Sequence, residues 1–277
     1  VATANSILKS VSGNPGDWSS VTGGNGFMTG VNRVEIAVTA TSPARIYAIG
    51  NRGGDGTEVY HLLDTPGGNW SERTAPVDLN GVNYTRGQGG YDLEVAVDPR
   101  NPNRIFLGGI DLYLSTSGGF NWEQISHWTG AARQFVHADQ HLVIFDKEDP
   151  NVMYIGNDGG VFRSVNGSID MYAINTEYNV TQFYAGAIHP EAGRNYLLGG
   201  TQDNGSLQLD GPGIQRGREV LGGDGFFCHF DEDEPDIQMV SLYFADYALS
   251  TNGGQSFGGG ASFGGRFVSP SDYDSES

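Results

Sequence analysis

Lysine is almost missing from this chain. Lys9 and Lys147 are the only two in 277 residues, and all basic residues together number 15 against 33 Asp and Glu. The formal charge of -18 repels phosphodiester backbones and anionic lipid, so nucleic acid is a poor partner. Long apolar runs are missing too: none reaches the roughly 20 residues of a membrane-spanning helix, and membrane insertion is not expected. Cysteine occurs once, at Cys228, so no disulfide can form within the chain. On the predicted inner face of a strand, that thiol reads as a small buried apolar residue rather than a nucleophile. No stretch carries a helical period, which leaves strands and turns to build the fold.

What the chain has is glycine, 43 residues of it, and a module written five times. Each copy is a short apolar strand, an acidic or Pro-containing turn, a second strand, a Gly-Gly or Asp-Gly step and, in most copies, an aromatic-ended hairpin. The first strands end at Thr39, Asp98, Asp146, His189 and Asp231, spaced by 59, 48, 43 and 42 residues. Those spacings are near the roughly 40 to 50 residues of a four-stranded blade. The residues before the turns are Val38, Val97, Phe145, Ile188 and Phe230, and two positions earlier stand Ile36, Val95, Val143, Gly186 and Cys228. A period of two puts both sets on one face of each strand, against a neighbouring sheet. The chain reads as all-β, an array of small antiparallel sheets whose function sits on turns.

The hairpins carry a second signature. Tyr113-Leu114-Ser115-Thr116-Ser117-Gly118-Gly119-Phe120-Asn121-Trp122 and Tyr247-Ala248-Leu249-Ser250-Thr251-Asn252-Gly253-Gly254-Gln255-Ser256-Phe257 share a serine, a polar turn residue, two glycines and a terminal aromatic. Residues 162–168 are a shortened version, and 10–18 and 64–70 looser ones. The polar side chain holds the turn, glycine supplies positive φ, and the aromatic plugs the seam between sheets. These hairpins resemble the Asp-box, or BNR, turns of the sialidase, sortilin and xyloglucanase class of β-propellers. The chain is similar above all to large secreted bacterial proteins, especially of Bacteroidetes, in which blades like His137-Ala138-Asp139-Gln140-His141, Gly156-Asn157-Asp158-Gly159-Gly160, Gly199-Gly200-Thr201-Gln202-Asp203-Asn204-Gly205 and Gly222-Gly223-Asp224-Gly225 recur. The resemblance covers essentially the whole chain and implies a β-propeller of four-stranded antiparallel blades. It also implies an extracellular or cell-surface setting, with which the low lysine content agrees, and polysaccharide or extracellular protein as partner. Ser117 and Asn252 stand where the motif prefers Asp. Chemistry is specified poorly, because the class includes hydrolases, receptors and surface proteins.

The repeat divides the chain into 1–33, the end of a blade and a linker, then blades over 34–90, 91–136, 137–182, 183–223 and 224–266. Residues 267–277 look like the opening of a sixth. Five copies and a stub predict an incomplete ring, with the remainder of a larger polypeptide as partner.

Counting back seven residues from the turns gives Tyr91, Asp139, Gln182 and Asp224, which should ring one mouth of a propeller channel. Asp139 and Asp224 are then candidate acid and base for glycoside hydrolysis, where inverting chemistry wants carboxyl groups roughly 6.5 to 9.5 Å apart. They could equally bind calcium or only solvate the rim; no cofactor is called for. His137, Asp139 and His141 alternate along one strand face, a weak transition-metal pattern with no fourth ligand. The bland reading gives His141 to the blade core, where Val34, Leu93, Tyr184 and Phe226 hold the same column, and leaves His137 as a ligand contact. Asp158 and Asp203, in glycine-rich turns after second strands, are ligand-binding candidates or plain turn formers. Trp128, Phe135, Tyr178, Phe183 and Tyr243 are candidate stacking platforms for sugars.

Overall fold

The computed structural model describes residues 2–3, 6–22, 26–41, 43–53, 57–63, 68–176, 180–211 and 217–273. They fall into two compact units, Val1–Thr176 and Glu177–Ser277. The fold is all-β, made of consecutive antiparallel meanders of β-propeller blade type.

In the first unit, after a short three-stranded ribbon, the first sheet is Arg33–Val38, Arg45–Asn51, Thr57–Leu63 and Trp70–Arg73. The second is Glu94–Val97, Ile105–Gly108, Leu112–Ser115 and Glu123–Gln124. The third is Gln140–Phe145, Met153–Asn157, Gly160–Ser164 and Tyr172–Ala173. The second unit holds a fourth sheet, Phe183–Ile188, Leu197–Thr201, Ser206–Leu209 and Gly217–Leu221. Its fifth sheet departs from the expected four strands. The described residues form three, Cys228–Phe230, Gln238–Leu242 and Asp246–Ser250, and the place of a fourth is taken by single bridges from Leu249 to Gly258 and Asp246 to Ser262.

Four of the five turns share one hydrogen bond, and at the remaining one Thr39 Oγ1 accepts the Arg45 amide instead, at 2.8 Å. Asp98, Asp146 and Asp231 each accept the backbone amide two residues on, at 2.8, 2.8 and 2.9 Å, and His189 does the same through Nδ1 at 3.2 Å. A side-chain acceptor at that point ends the strand and starts the return. The hairpins between third and fourth strands are equally regular. Ser115, Ser164 and Ser250 accept the amides of Gly119, Ser168 and Gly254, all at 2.9 Å, while Ser117, Asn166 and Asn252 accept those of Asn121, Asp170 and Ser256 at 2.9, 2.9 and 3.1 Å. Each hairpin also donates from Gly118, Gly167 or Gly253 to the first turn of its own sheet, at Asn103, Asn151 or Asp236.

Arginine closes the seams. Arg73 of the first sheet donates to the Gly118 carbonyl of the second at 3.1 Å, Arg104 of the second to Gly167 of the third, and Arg218 of the fourth to Gly254 of the fifth. The scarce cations are thus spent on carbonyls that would otherwise lack donors. Between the seams lie apolar layers. Ile49, Leu93, Ile105 and Leu107 are fully buried between the first and second sheets, and Phe106, Met153 and Ile155 between the second and third. Each such side chain stabilises by about 1.5 to 3 kcal/mol through burial.

Val95, Val143 and Cys228 are buried as the period of two requires, at 5%, 4% and 4% exposure. The residue before the turn varies from copy to copy: Phe230 is buried, Val97 and Phe145 are half-buried, and Val38 and Ile188 are exposed. Val38, Val97 and Phe145 line a cavity of about 690 Å³ where the first strands of the first unit end, and Val97 and Phe145 also pack against the apolar layers between sheets. Of the hairpin aromatics, Trp70 is a buried plug whose indole donates to the Val21 carbonyl at 3.0 Å, whereas Trp18 is exposed.

Candidate functional site

The opposite ends of those first strands, where they begin, carry the polar chemistry of the first unit. The segment 137–140 is docked by its amides. Asp139 and Gln140 donate to the carbonyls of Ile110 and Gly109 at 3.1 and 2.9 Å, and buried Gln140 adds side-chain bonds to the carbonyls of Ile110 and His137. To reach these partners Asp139 adopts φ +65°, a left-handed conformation that Asp tolerates better than most residues. The His137 ring lies against Gly159, where a Cβ would come within 2.3 Å of its Cγ. That contact explains the glycine in Asn157-Asp158-Gly159-Gly160.

At the centre of the cluster Asp158 accepts from Tyr91 Oη at 2.8 Å and from His141 Nε2 at 2.6 Å. Tyr91 meets the His141 ring edge-on, centroids 4.9 Å apart. Three segments distant in sequence therefore meet: the start of the second sheet, the first strand of the third, and the loop between that sheet's second and third strands. Exposure grades across the group, with Tyr91 46% exposed, the His141 side chain 35% and the Asp158 side chain 10%. His141 is not a core residue, as its column suggested, because Asp158 draws it toward solvent as a hydrogen-bond donor. With Nε2 donating, a neutral His141 carries its lone pair on Nδ1.

Asp139 was expected as an exposed rim carboxylate; it is 9% exposed. The docking of its own amide and of Gln140 pulls it into the wall. Asp139 and Asp158 bring one carboxylate oxygen each within 4.8 Å of one another. Beneath them lies a residue that the seven-residue count passed over. Asp92 is fully buried, and among the described residues neither carboxylate oxygen has a hydrogen-bond partner. Burial pushes its carboxyl up to about 8, the charges of Asp139 and Asp158 push the same way, and its own amide and the Arg33 guanidinium pull back. Arg33 itself donates to the carbonyls of Tyr91 and Leu93 at 2.6 and 3.1 Å and pairs with Glu35 at 3.0 Å. Glu94 is held at about 7, chiefly by burial, although the Val143 amide bonds it at 3.1 Å. A signal for Asp92 did exist: it stands one position after the counted column, in register with Gln140, which is also buried.

In the second unit Gln182, Asp203 and Asp224 also come together. The Gln202 amide donates to the Gln182 carbonyl at 3.0 Å, and the Asp203 amide to Asp224 Oδ1 at 3.0 Å. Gln182 is exposed; Asp203 and Asp224 are half-buried. Asp203 sits at φ +57°. Tyr184 is held above the usual phenol range by burial and then by the charges of Asp224 and Asp203. Asp139 belongs to the first unit and Asp224 to the second.

The loop between the second and third strands holds Asp158 in the third sheet and Asp203 in the fourth. In the fifth it holds aromatics. Tyr243–Ala245 forms one 3-10 turn in which Phe244 and Ala245 both have positive φ, at +62° and +61°. Such a conformation costs about 1 to 2 kcal/mol per residue. It is held by the Phe244 amide on the Phe267 carbonyl, Gly265 on Phe244 and Phe263 on Ala245, at 3.2, 2.7 and 3.2 Å. Trp128, Phe135 and Phe183 are exposed as well, at 45%, 51% and 49%. Tyr178 lies outside the described residues.

No family model matches the chain and no curated protein is similar to it. Solved structures similar to it include the Niastella koreensis GH74 enzyme, at 19% identity over 82% of this chain and 38% of that one, TM-score 0.36. YCF48 bound to D1 peptide is 12% identical over 88% and 72% of the two chains, TM-score 0.36. An ancestral GH74 enzyme is 14% identical over 84% and 32%, TM-score 0.37. The chain therefore spans well under half the length of both GH74 enzymes. A likeness at this level carries no inference about activity. Among the described residues no helix is long and apolar enough to cross a membrane.

Proposed function

We propose that this chain is a secreted or cell-surface β-propeller module that binds carbohydrate. The observation that carries the reading is Asp158, clamped between Tyr91 and His141 with exposure rising outward from carboxylate to phenol. Vicinal hydroxyls of a sugar are matched by an oriented carboxylate beside a donor-acceptor imidazole and a phenol, and hydrogen bonds among the three orient them for a ligand. The charge of -18 supports the same choice, since it disfavours nucleic acid and anionic surfaces as alternatives. Glycan-array binding tests it, with Tyr91→Phe and Asp158→Asn expected to weaken the wild-type signal about tenfold, the range of a lost charged hydrogen bond. Unchanged binding by both variants would overturn the site.

Glycoside hydrolysis is the second reading. It is favoured by one observation: Asp92, held protonated to about pH 8, lies within the electrostatic reach of Asp139. Asp92 is fully buried, so only Asp139 could touch substrate. Release of reducing sugar by wild type and its loss in Asp139→Asn would replace binding by catalysis.

A further inference from the structure

The second unit presents an aromatic platform that the polar cluster of the first unit does not include. Tyr243 and Phe267 have rings parallel to within 5°, with centroids 6.2 Å apart. Phe244 stands nearly perpendicular to both, at 5.5 and 5.8 Å. Beneath them Phe226, fully buried, braces Phe267 edge-on at 5.5 Å. The three upper rings nonetheless remain 37%, 46% and 51% exposed for Tyr243, Phe267 and Phe244. Packing alone does not account for rings left so open on a backbone held in two successive left-handed residues. Strain of that kind collects where a surface is kept in a set presentation.

The segment beside the rings carries a carboxylate. The Tyr243 ring borders Gly223, whose added Cβ would stand 3.4 Å from Tyr243 Cε1, and the next residue is Asp224. Asp224 Oδ1 accepts the Asp203 amide at 3.0 Å, which orients the carboxylate. A flat aromatic face next to an oriented carboxylate is the chemistry that recognises a pyranose, whose axial C–H groups pack on a ring while its hydroxyls donate to the acid.

We infer that Tyr243, Phe244 and Phe267 stack pyranose rings of a neutral polysaccharide, with Asp224 accepting its hydroxyls. This rests on the carbohydrate-binding reading and adds a second subsite with its own specificity. The neutral class follows from charge. A protein carrying -18, with a carboxylate at the subsite, repels uronate and sulfate polymers.

Affinity electrophoresis and calorimetry of the full chain with a neutral glucan, a mannan and a polyuronate test the inference. A neutral polymer should bind and the polyuronate should not. Tyr243→Ala should weaken binding roughly three- to tenfold, from the energy of one aromatic stack, with an unchanged Tm, and Tyr243→Trp should restore it. Phe267→Ala touches the Phe226 core, so it is read only beside its unfolding curve. If Tyr243→Ala binds as wild type does while Asp158→Asn is weakened, the platform is refuted and the carbohydrate reading stands. Failure of the wild type to bind any glycan refutes both. Preference for the polyuronate refutes the neutral assignment.

Discussion

Asp92 makes a prediction about stability that can be worked through from its surroundings. Its carboxyl is buried, has no hydrogen-bond partner among the described residues, and is pushed to about 8, first by burial and then by Asp139. In the unfolded chain the same group titrates at 3.8. Between these two values the folded protein keeps a proton that the unfolded chain releases. The unfolded state therefore binds fewer protons, and the free energy of unfolding falls as pH rises through that window. About four pH units at about 1.4 kcal/mol each give an upper figure on the order of 5 kcal/mol, which relaxation and water entry reduce to ~3.

Asp92→Asn keeps the shape and removes the titration. Urea unfolding of both proteins from pH 5 to pH 9, followed by tryptophan fluorescence, should show the variant gaining on the wild type as pH rises, with the gain levelling off above about pH 8. Glu94, at about 7, and Asp111, at about 6, add slopes of the same sign. Both proteins retain them, so they cancel in the difference. A difference between the two proteins that stays constant with pH would show that Asp92 is already ionised when folded, and the account of its burial would fail.

Ser250→Ala should destabilise the chain by about 1 to 3 kcal/mol, because the buried serine accepts the Gly254 amide at 2.9 Å; Ser115→Ala should cost the same by the same geometry, and thermal unfolding measures both. Burial raises the Cys228 thiol to about 12, so thiol reagents at pH 8 should leave the native protein unlabelled and modify it only in denaturant, as counted by mass.

Local chemistry made part of this fold readable and long-range contacts hid the rest. The first turns were legible because Asp98, Asp146 and Asp231 do their work within two residues, on amides that follow them directly. The hairpins were legible for the same reason, their serines reaching only four residues ahead. His141 was misplaced because its column holds apolar residues in the other copies, while its partner Asp158 lies 17 residues on and meets it only across the sheet. Asp139 was expected at an open rim because no local pattern shows that its amide would dock on Ile110, 29 residues earlier. Asp92 escaped notice because it stands one position beyond the counted column, where the next copy shows an uncharged Gln140. Tyr243 was picked out as an aromatic outside the plugs, but the parallel ring of Phe267 was not, since a chain reversal brings the two together.

The distribution of backbone strain shows where this scaffold is free to vary. Among the described residues, no non-glycine residue with positive φ falls in the turns between first and second strands; the one positive value there belongs to Gly193. Three of those turns repeat an aspartate acceptor, with His189 and Thr39 accepting in the other two, and none needs an unusual backbone at a non-glycine residue. At the other end of the strands, Asp139, Asp203, Phe244 and Ala245 all take left-handed conformations. These are also the positions at which the copies differ most in chemistry: Asp158 with its histidine in the third sheet, Asp203 beside Asp224 in the fourth, and an aromatic ridge in the fifth. Apolar layers and seam arginines stabilise the sheets, so a loop can hold a conformation that costs about 1 to 2 kcal/mol without loss of the fold. Repetition at one end of the strands and divergence at the other is the arrangement expected of a module whose binding surface is its loops.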